Sequence, residues 1–359
     1  MSGPGTTAAS RTDPCTCANL DQVTYKHLAL DLDVDFDARV IRGCATWRLS
    51  LSEACTLIKL DTKSLSITSV RACAALDLPA DASPHTDLSK MSSEIPFTLV
   101  EHPLNPHAFG SALTISLTEM VGADGGVLPQ GDILLAIHYR TASDSIALQW
   151  LTPEQTAGKQ YPYVFSQCQA IHARALLPCP DAPCAKVGYS ARLTVPEWAT
   201  AVMSAPAAGR ERLSDGTKHR FDFEQEVPIP SYLLALAVGE LESRVVGPRS
   251  KVWAEPSVVD AAAYEFSETE SFICAAEKIA GMPYAWGEST LSLVPIFGPH
   301  LTRPSHTRIS PISHARLTRP SHTRISHPHL THPMSHPMIS PEMTRLRLSP
   351  PCFARSRLV

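Results

Sequence analysis

The sequence predicts a mainly β protein, with an antiparallel β domain over residues 19–240, the start of an α+β unit over 241–295 and a tail over 296–359. Two observations carry this prediction. Apolar and polar residues alternate along much of the first segment, which is the period of half-buried strands. Few helical periods interrupt them before residue 257, and neither period survives beyond residue 295.

The strands of the first domain follow one another with short turns between them. Leu28, Leu30, Leu32, Val34 and Phe36 alternate with polar residues and predict the first of these strands. Tyr232–Val238 is a continuous apolar run, which predicts a strand buried on both faces. Serial strands of this kind indicate an antiparallel domain. The other predicted strands are Ala45–Leu51, Leu57–Leu60, Leu65–Val70, Leu113–Leu117, Ile133–Tyr139, Val187–Val195 and Phe221–Glu226.

Two segments of the first 95 residues predict no regular structure. Residues 1–18 are small and polar, and we expect them to be disordered. Ala72–Ser93 is rich in Ala, Asp, Ser and Pro and predicts a surface loop. Cys15 and Cys17 are too closely spaced for a usual zinc knuckle, and no matching second pair follows them.

A helix is predicted after the β domain. Ser257 is placed to cap its start, with Asp260 as the acidic partner of a capping box. Gly281 predicts its end, with Pro283 beyond. A short apolar strand follows at Leu291–Val294. The helical apolar stripe comprises Val259, Ala262, Ala263, Phe266, Ile273 and Ala276.

Composition excludes several classes of function. The chain carries a formal charge of −4, while residues 296–359 hold nine Arg and one Glu and are about 8 units positive, which leaves the rest about 12 units negative. An acidic folded part argues against nucleic acid as a partner. No apolar run approaches the ~20 residues of a membrane span, and the N-terminus lacks an apolar signal core. We therefore expect a cytoplasmic protein whose ten Cys are kept reduced.

The tail is unlike the rest of the chain. LTRPSHTRIS occurs at Leu301–Ser310 and again at Leu317–Ser326, and eight of the fifteen His lie within residues 300–336. Its Pro content opposes helix and central strand, so disorder is expected. The abrupt change near Pro295 is interpreted as a retained intron, an unusual splice form or an error in the gene model. An alternative is a His-rich tract that binds Zn, Cu or Ni loosely.

Four long strings of the sequence resemble one family of zinc peptidases. They are LQWLTPEQTAGK (Leu148–Lys159), YPYVFSQCQAIHARALLPCPDAP (Tyr161–Pro183), VPIPSYLLALAVGELESRVVGPRSKVWAEP (Val227–Pro256) and AYEFSETE (Ala263–Glu270). Residues 19–294 resemble the family of leukotriene A(4) hydrolase and aminopeptidase B. The resemblance implies a saddle-like β domain, then a thermolysin-like zinc domain. It also implies N-terminal cleavage of peptides and, in one branch, hydrolysis of the leukotriene A(4) epoxide.

The same resemblance implies a substrate-binding loop at Gln167, Cys168, Gln169 and Ala170. Amide side chains and backbone groups at this loop would hold a peptide's main chain or position its free amino end. The competing interpretation is that Gln167 and Gln169 only satisfy backbone groups of their own loop. His172, in the same string, is interpreted as a structural residue.

The family's zinc-binding motifs are absent from the sequence. It contains neither G-G-M-E-N nor H-E-x-x-H. His332 and His336 are four residues apart, but Pro333 and Pro337 forbid the helix that would direct both at one metal. We therefore expect no catalytic residues and no zinc ligands here, and an inactive, truncated, monomeric family member without nucleic-acid or membrane partners. The alternative is a non-catalytic peptide-binding or interaction module with a basic disordered tail.

Overall fold

The structure is a computed structural model. It describes residues 13–52, 55–75, 83–88, 92, 94–101, 109–118, 131–214, 216–286 and 289–292. The chain divides into two compact units, residues 1–315 and 316–359. The second unit and the whole tail, residues 296–359, lie outside the described residues.

The described part of the chain is dominated by strands. The first nine are β1 (Val23–Asp35), β2 (Val40–Leu51), β3 (Leu57–Thr62), β4 (Ser66–Ala74), β5 (Phe97–Glu101), β6 (Ser111–Ser116), β7 (Asp132–Arg140), β8 (Leu148–Leu151) and β9 (Tyr163–Ser166). Those that follow are β10 (Lys186–Pro196), β11 (Thr200–Met203), β12 (Ala207–Arg212), β13 (Lys218–Pro230), β14 (Leu236–Gly239), β15 (Glu242–Gly247), β16 (Ser250–Ala254) and β17 (Ser289–Ser292). The helices are α1 (Val259–Glu265) and α2 (Thr269–Ala280).

The largest sheet has seven strands in the order β12-β13-β10-β1-β2-β7-β4. Most neighbours are antiparallel, which confirms the mainly β class with antiparallel sheets. β1 and β10 are parallel, with His27 opposite Gly188. This pair is a parallel exception within the predicted antiparallel domain, and it joins strands that are distant in sequence. The other sheets are β11-β14-β9-β8, β15-β16-β17 and β3-β6-β5.

The predicted alternation along β1 corresponds to burial. Leu28, Leu30, Leu32 and Val34 lie in the main core, while Asp31 and Asp33 between them are partly exposed. Each fully buried side chain of this size contributes about 1.5–3 kcal/mol relative to exposure. At Gly43 the Tyr139 ring packs close to the backbone of β2. A Cβ there would lie 2.8 Å from Cζ of Tyr139, so a larger residue would displace that ring.

The predicted single helix is two helices. α1 ends at Glu265, α2 begins at Thr269, and the capping residue of α1 is Val258, without a side-chain cap. Ser257 lies one position before the residue that caps the helix. The helix is preceded by a turn in which Val258 N donates to Glu255 O. Asp260 pairs with Arg244 at 2.7 Å instead of capping. The predicted end is confirmed, since Gly281 is left-handed with φ 69°.

Three other expectations need correction. Tyr232–Val238 is not one strand, since Ser231–Leu233 forms a 3-10 turn and Ala235 N donates to Ser204 Oγ, leaving only Leu236–Gly239 extended. The expected disorder of residues 1–18 stays a prediction for 1–12, which lie outside the described residues. Residues 13–18 are held by hydrogen bonds, because Asp61 accepts from the Thr16 hydroxyl and from Cys17 N. The strand expected at Leu291–Val294 begins at Ser289, and Val294 lies outside the described residues.

Candidate functional site

The loop Gln167–Ala170 leaves the end of β9 and leads into a 3-10 turn at Ala173–Ala175. Backbone bonds fix both ends of the loop. Gln167 N donates to Ala147 O at 2.8 Å, and His172 N donates to Cys168 O at 2.9 Å. The peptide bond between Gln169 and Ala170 is cis. The main chain of the loop is therefore held on one side by the β7–β8 connection and on the other by its own turn.

The four loop residues separate into exposed and buried side chains. Gln167, Gln169 and Ala170 are exposed. Neither glutamine amide has a hydrogen-bond partner among the residues that the structure describes. The interpretation in which these amides satisfy their own loop is therefore not favoured, since Ala147 and Cys168 carbonyls accept from backbone N–H groups instead. Both amides are available to donate and to accept.

Cys168 points the other way. Its side chain is 2% exposed and belongs to the main core. Burial raises the pKa of the Cys168 thiol far above its ordinary value, and the Asp181 carboxylate raises it further. The thiol is therefore neutral and is no nucleophile at physiological pH. Cys168 contributes to the loop through its main chain and anchors it to the core.

A network of buried charged residues begins at Arg174, four residues beyond the loop. Arg174 and Asp181 are joined Nε to Oδ2 at 2.9 Å, and Asp61 Oδ1 lies 3.6 Å from Arg174 Nη1. Burial alone would lower the pKa of Arg174, but the carboxylates of Asp61 and Asp181 outweigh it and raise that pKa. The sequence signal for this network is an arginine and an aspartate within the mainly apolar string AIHARALLPCPDAP.

The guanidinium of Arg174 also ties three chain segments together. Nη1 donates to Phe109 O at 2.8 Å and Nη2 donates to Cys15 O at 2.7 Å. Asp181 accepts from Ser231 Oγ at 2.8 Å, and its own N–H donates to Asp61 Oδ2 at 2.9 Å. His172, between loop and network, packs its ring against Phe109 with centroids 5.6 Å apart.

The described residues do not fit a catalytic zinc ion. No group of three or more His, Cys, Asp or Glu within them is arranged to hold a metal. His332 and His336, like the rest of the His-rich tract, lie outside the described residues.

Among the helices in the described ranges, none has the length and apolar character needed to cross a membrane.

Most of the chain is similar to known proteins. Residues 23–233 match the family model of the peptidase M1 N-terminal domain. Leukotriene A-4 hydrolase of Xenopus laevis is 37% identical over 292 residues, covering 80% of this chain and 43% of that protein. Aminopeptidase B of Mus musculus is 36% identical over 301 residues, covering 80% of this chain and 42% of that protein.

The fold is also that of solved structures. Native yeast LTA4 hydrolase aligns with a TM-score of 0.65 and 32% identity, covering 80% of this chain and 40% of that one. The chain thus spans less than half the length of the curated relatives and of the solved structure it matches.

Proposed function

Because the chain belongs to the peptidase M1 family, whose N-terminal domain it contains, we propose that its Gln167–Ala170 loop binds the N-terminal end of a peptide. The observation that carries this proposal is the pair of exposed glutamine amides, without partners in the described part, on a loop whose main chain is fixed. Amide oxygens accept from the ammonium group of a free N-terminus, and amide N–H groups donate to a peptide carbonyl.

The network behind the loop supports the same role. Binding groups must be held by rigid surroundings to select one geometry. Arg174 lies four residues beyond Ala170 and is bonded to Asp181, and Cys168 is packed in the core. Gln167 and Gln169 are thus presented from an anchored backbone, so a peptide bound there meets preorganised amides and costs less ordering.

Binding is proposed without hydrolysis. Family chemistry uses zinc, which activates water and polarises the scissile carbonyl. The 359 residues contain no H-E-x-x-H, and no described cluster fits the metal. The residues of this chain would therefore bind and orient a peptide and carry out no bond cleavage. Leukotriene A(4) as a second ligand, a monomeric state and a cytoplasmic location remain proposals of the same kind.

The domain boundaries are also proposed, with a β domain at 19–240 and the beginning of a thermolysin-like domain at 241–295. The hairpin β15–β16 opens the second domain, and α1 packs on it through Val259 and Ala262. Limited proteolysis should leave a core near residues 19–240. Even cleavage across Leu28–Val238 would contradict the first boundary.

Peptide binding is tested with the full chain and a fluorescent peptide, labelled at its C-terminus, with a free or an acetylated N-terminus. We expect the free peptide to bind more tightly, and Gln167→Ala and Gln169→Ala each to weaken it about 3–10-fold, as loss of one hydrogen bond does. Gln149→Ala is the matched control, since Gln149 is an exposed glutamine on the neighbouring strand β8. Equal affinity for both peptides, or an equal loss in the control, would contradict the proposal.

The absence of hydrolysis is tested on the same preparation with an aminoacyl chromogenic substrate. We expect no turnover above background with or without added zinc. Peptide hydrolysis that a chelator abolishes would contradict this expectation, because it requires a metal site supplied by these 359 residues.

A second candidate function is a non-catalytic interaction module. The observation that favours it is exposed apolar area on the two helices, where Tyr264 is 82% and Ile279 88% exposed and Phe272 is also exposed. Met282, just beyond α2, is exposed as well. Apolar patches of this kind mark interaction surfaces. Self-association through the helices is tested by light scattering of the wild type and of the double variant Phe272→Ser/Ile279→Ser. Unchanged association in the double variant would exclude self-association through these helices.

A further inference from the structure

A groove in the described part of the chain lies away from the Gln167 loop. It measures about 600 Å³ and lies on one face of the seven-stranded sheet. The lining residues Asp31, Asp33 and Arg140 alternate in sequence with Leu32 and Tyr139, which also border the groove but are buried in the main core. The groove therefore opens on the face of the sheet opposite the core that holds Cys168. Its volume is within the range of sites for small molecules.

Two arginines stand side by side in this groove. Arg42 on β2 is directly opposite Arg140 on β7, and Arg140 is directly opposite Ser66 on β4. Opposed residues on one face of a sheet have Cβ atoms about 5 Å apart, and like charges at such positions are unfavourable. The pair is therefore a place where a bound anion would relieve repulsion between neighbouring guanidinium groups.

Within the described part, the ion pairs around the groove leave one of its arginines, Arg140, without an acidic partner. The lining contains Arg42, Arg140, Arg192 and Arg220 together with Asp31 and Asp33. Arg220 is paired with Glu211 at 2.6 Å and with Asp222 at 3.2 Å. Asp33 is already paired with Lys218 at 2.7 Å, and Arg192 reaches its carboxylates only at 3.8 and 4.0 Å. Arg140 is exposed and makes no ion pair within the described part.

Arg42 is only partly engaged. Its Nη1 bonds to Asp35 Oδ2 at 2.8 Å, and no bond from its Nη2 or Nε occurs in the described part. A guanidinium presents five donors in a planar fork and can serve a second oxyanion. Arg140 offers all five, and the Ser66 hydroxyl adjoins it. This set matches an anion with several oxygens better than a single carboxylate.

We propose that this groove is a binding site for a small molecule bearing a doubly charged oxyanion, a phosphate monoester or a dicarboxylate. Arg42 and Arg140 bracket the anion from neighbouring strands, and Ser66 donates a hydroxyl hydrogen bond from the third. The remaining length of the groove, toward Arg192 and Thr194, accommodates the body of the molecule. The site is independent of the Gln167 loop.

The experiment is calorimetric titration of the full chain with inorganic phosphate, glycerol phosphate and glutarate. We expect saturable binding by at least one class, and the phosphate and dicarboxylate arms identify which. Arg140→Gln should weaken it about ten-fold or more, consistent with loss of charge-assisted hydrogen bonds. Arg140→Lys keeps the positive charge but lacks the planar guanidinium, so its affinity should lie between those of the wild type and Arg140→Gln. Added salt should weaken binding.

Arg48→Gln is the matched control, because Arg48 lies on the same strand, β2, but does not line the groove. It should bind as wild type does. Circular dichroism establishes that each variant is folded, and Ser66→Ala provides a milder second variant that should weaken binding a few-fold. No saturable binding of any probe, or an equal loss in Arg48→Gln, would overturn the proposal.

Discussion

Arg174 Nε lies 2.9 Å from Asp181 Oδ2, and both side chains are about 1% exposed. This contact links the 3-10 turn after the candidate loop to the chain that enters β10. Asp61 on β3 completes the network. Burying charged groups costs several kcal/mol each, and partners compensate for it only when all of them are present. The network therefore makes the position of the loop depend on three distant parts of the chain.

Arg174→Met should strongly destabilise the protein. The methionine fills a similar volume but leaves Asp61 and Asp181 buried without their cation, so we expect a loss of about 3–5 kcal/mol in the free energy of unfolding. Urea denaturation followed by fluorescence measures it. Arg48→Met is the control, because Arg48 is 55% exposed and Asp132, its partner, keeps Lys26 as a second cation, so we expect a loss of at most about 1 kcal/mol. Equal losses in both variants would contradict the assigned role.

Arg249→Gln should release α2 from the β15–β16 hairpin. Arg249 donates to Glu270 at 2.8 Å and to Glu277 at 2.7 Å, while α2 has no buried residue of its own. Hydrogen exchange of Thr269–Ala280 should therefore accelerate. α1 serves as the internal control, because Val259 and Ala262 are buried. Unchanged exchange in α2 would show that the helix does not depend on this clamp.

The same clamp should weaken in acid. Arg249 lowers the pKa of Glu277 below its ordinary value, and the Tyr284 N–H lowers it further. A carboxylate with a lowered pKa stabilises the fold above its ordinary pKa of about 4.5 and loses that contribution as pH falls through the folded value. Pepsin cleavage within α2 should therefore rise between about pH 5 and pH 3. In Glu277→Gln this rise should be smaller.

His27 should make stability fall as pH drops below about 6.5. Burial lowers the pKa of His27, and the neighbouring His85 and Arg48 lower it further, although Glu224 lies 3.9 Å away. The unfolded chain then takes up a proton at higher pH than the folded one, so protonation favours unfolding until the folded pKa is passed. Unfolding free energies at about pH 7.5 and about pH 5.5 should differ less in His27→Gln than in wild type.

Thiol modification should distinguish surface from core cysteines. Cys15 and Cys184 are exposed, whereas Cys168 and Cys179 are buried with pKa values raised by burial and by Asp181. Iodoacetamide followed by mass spectrometry should label the first pair in the folded protein and the second pair only after unfolding. Rapid labelling of Cys168 in the folded protein would mean that the candidate loop opens.

The strand pattern was predictable because a period of two maps directly onto burial. Leu28, Leu30, Leu32 and Val34 are buried as their spacing indicated. Pairing partners were not predictable in the same way, since nothing local to β1 specifies β10. The helical stripe also continued across Phe266–Glu268, where the chain turns and Thr269 Oγ1 donates to Phe266 O. Periodicity did not reveal that interruption.

The loop was located by resemblance, and its supports were missed. Gln167 and Gln169 are exposed, and their binding role stays a proposal. The residues that anchor them, Arg174 and Asp61, are distant from each other in sequence. No spacing pattern in the sequence indicates that they are in contact. The order of residues 13–18 likewise arises from bonds to Asp61, which lies 44 positions from Cys17. Composition alone indicated a flexible segment there.

The parallel pairing of β1 with β10 has a consequence for synthesis on the ribosome. His27 and Gly188 are neighbours in the sheet although 161 positions separate them in the chain. At translation rates of about 5–20 residues per second, β1 emerges roughly 8–30 s before its partner. β2 can join β1 early as a hairpin, but the other edge of β1 stays unpaired throughout that interval. Nascent chains stalled before residue 186 should therefore engage chaperones that bind exposed strand edges, and those stalled well beyond residue 230, where β10 and β13 have both emerged, should engage them less.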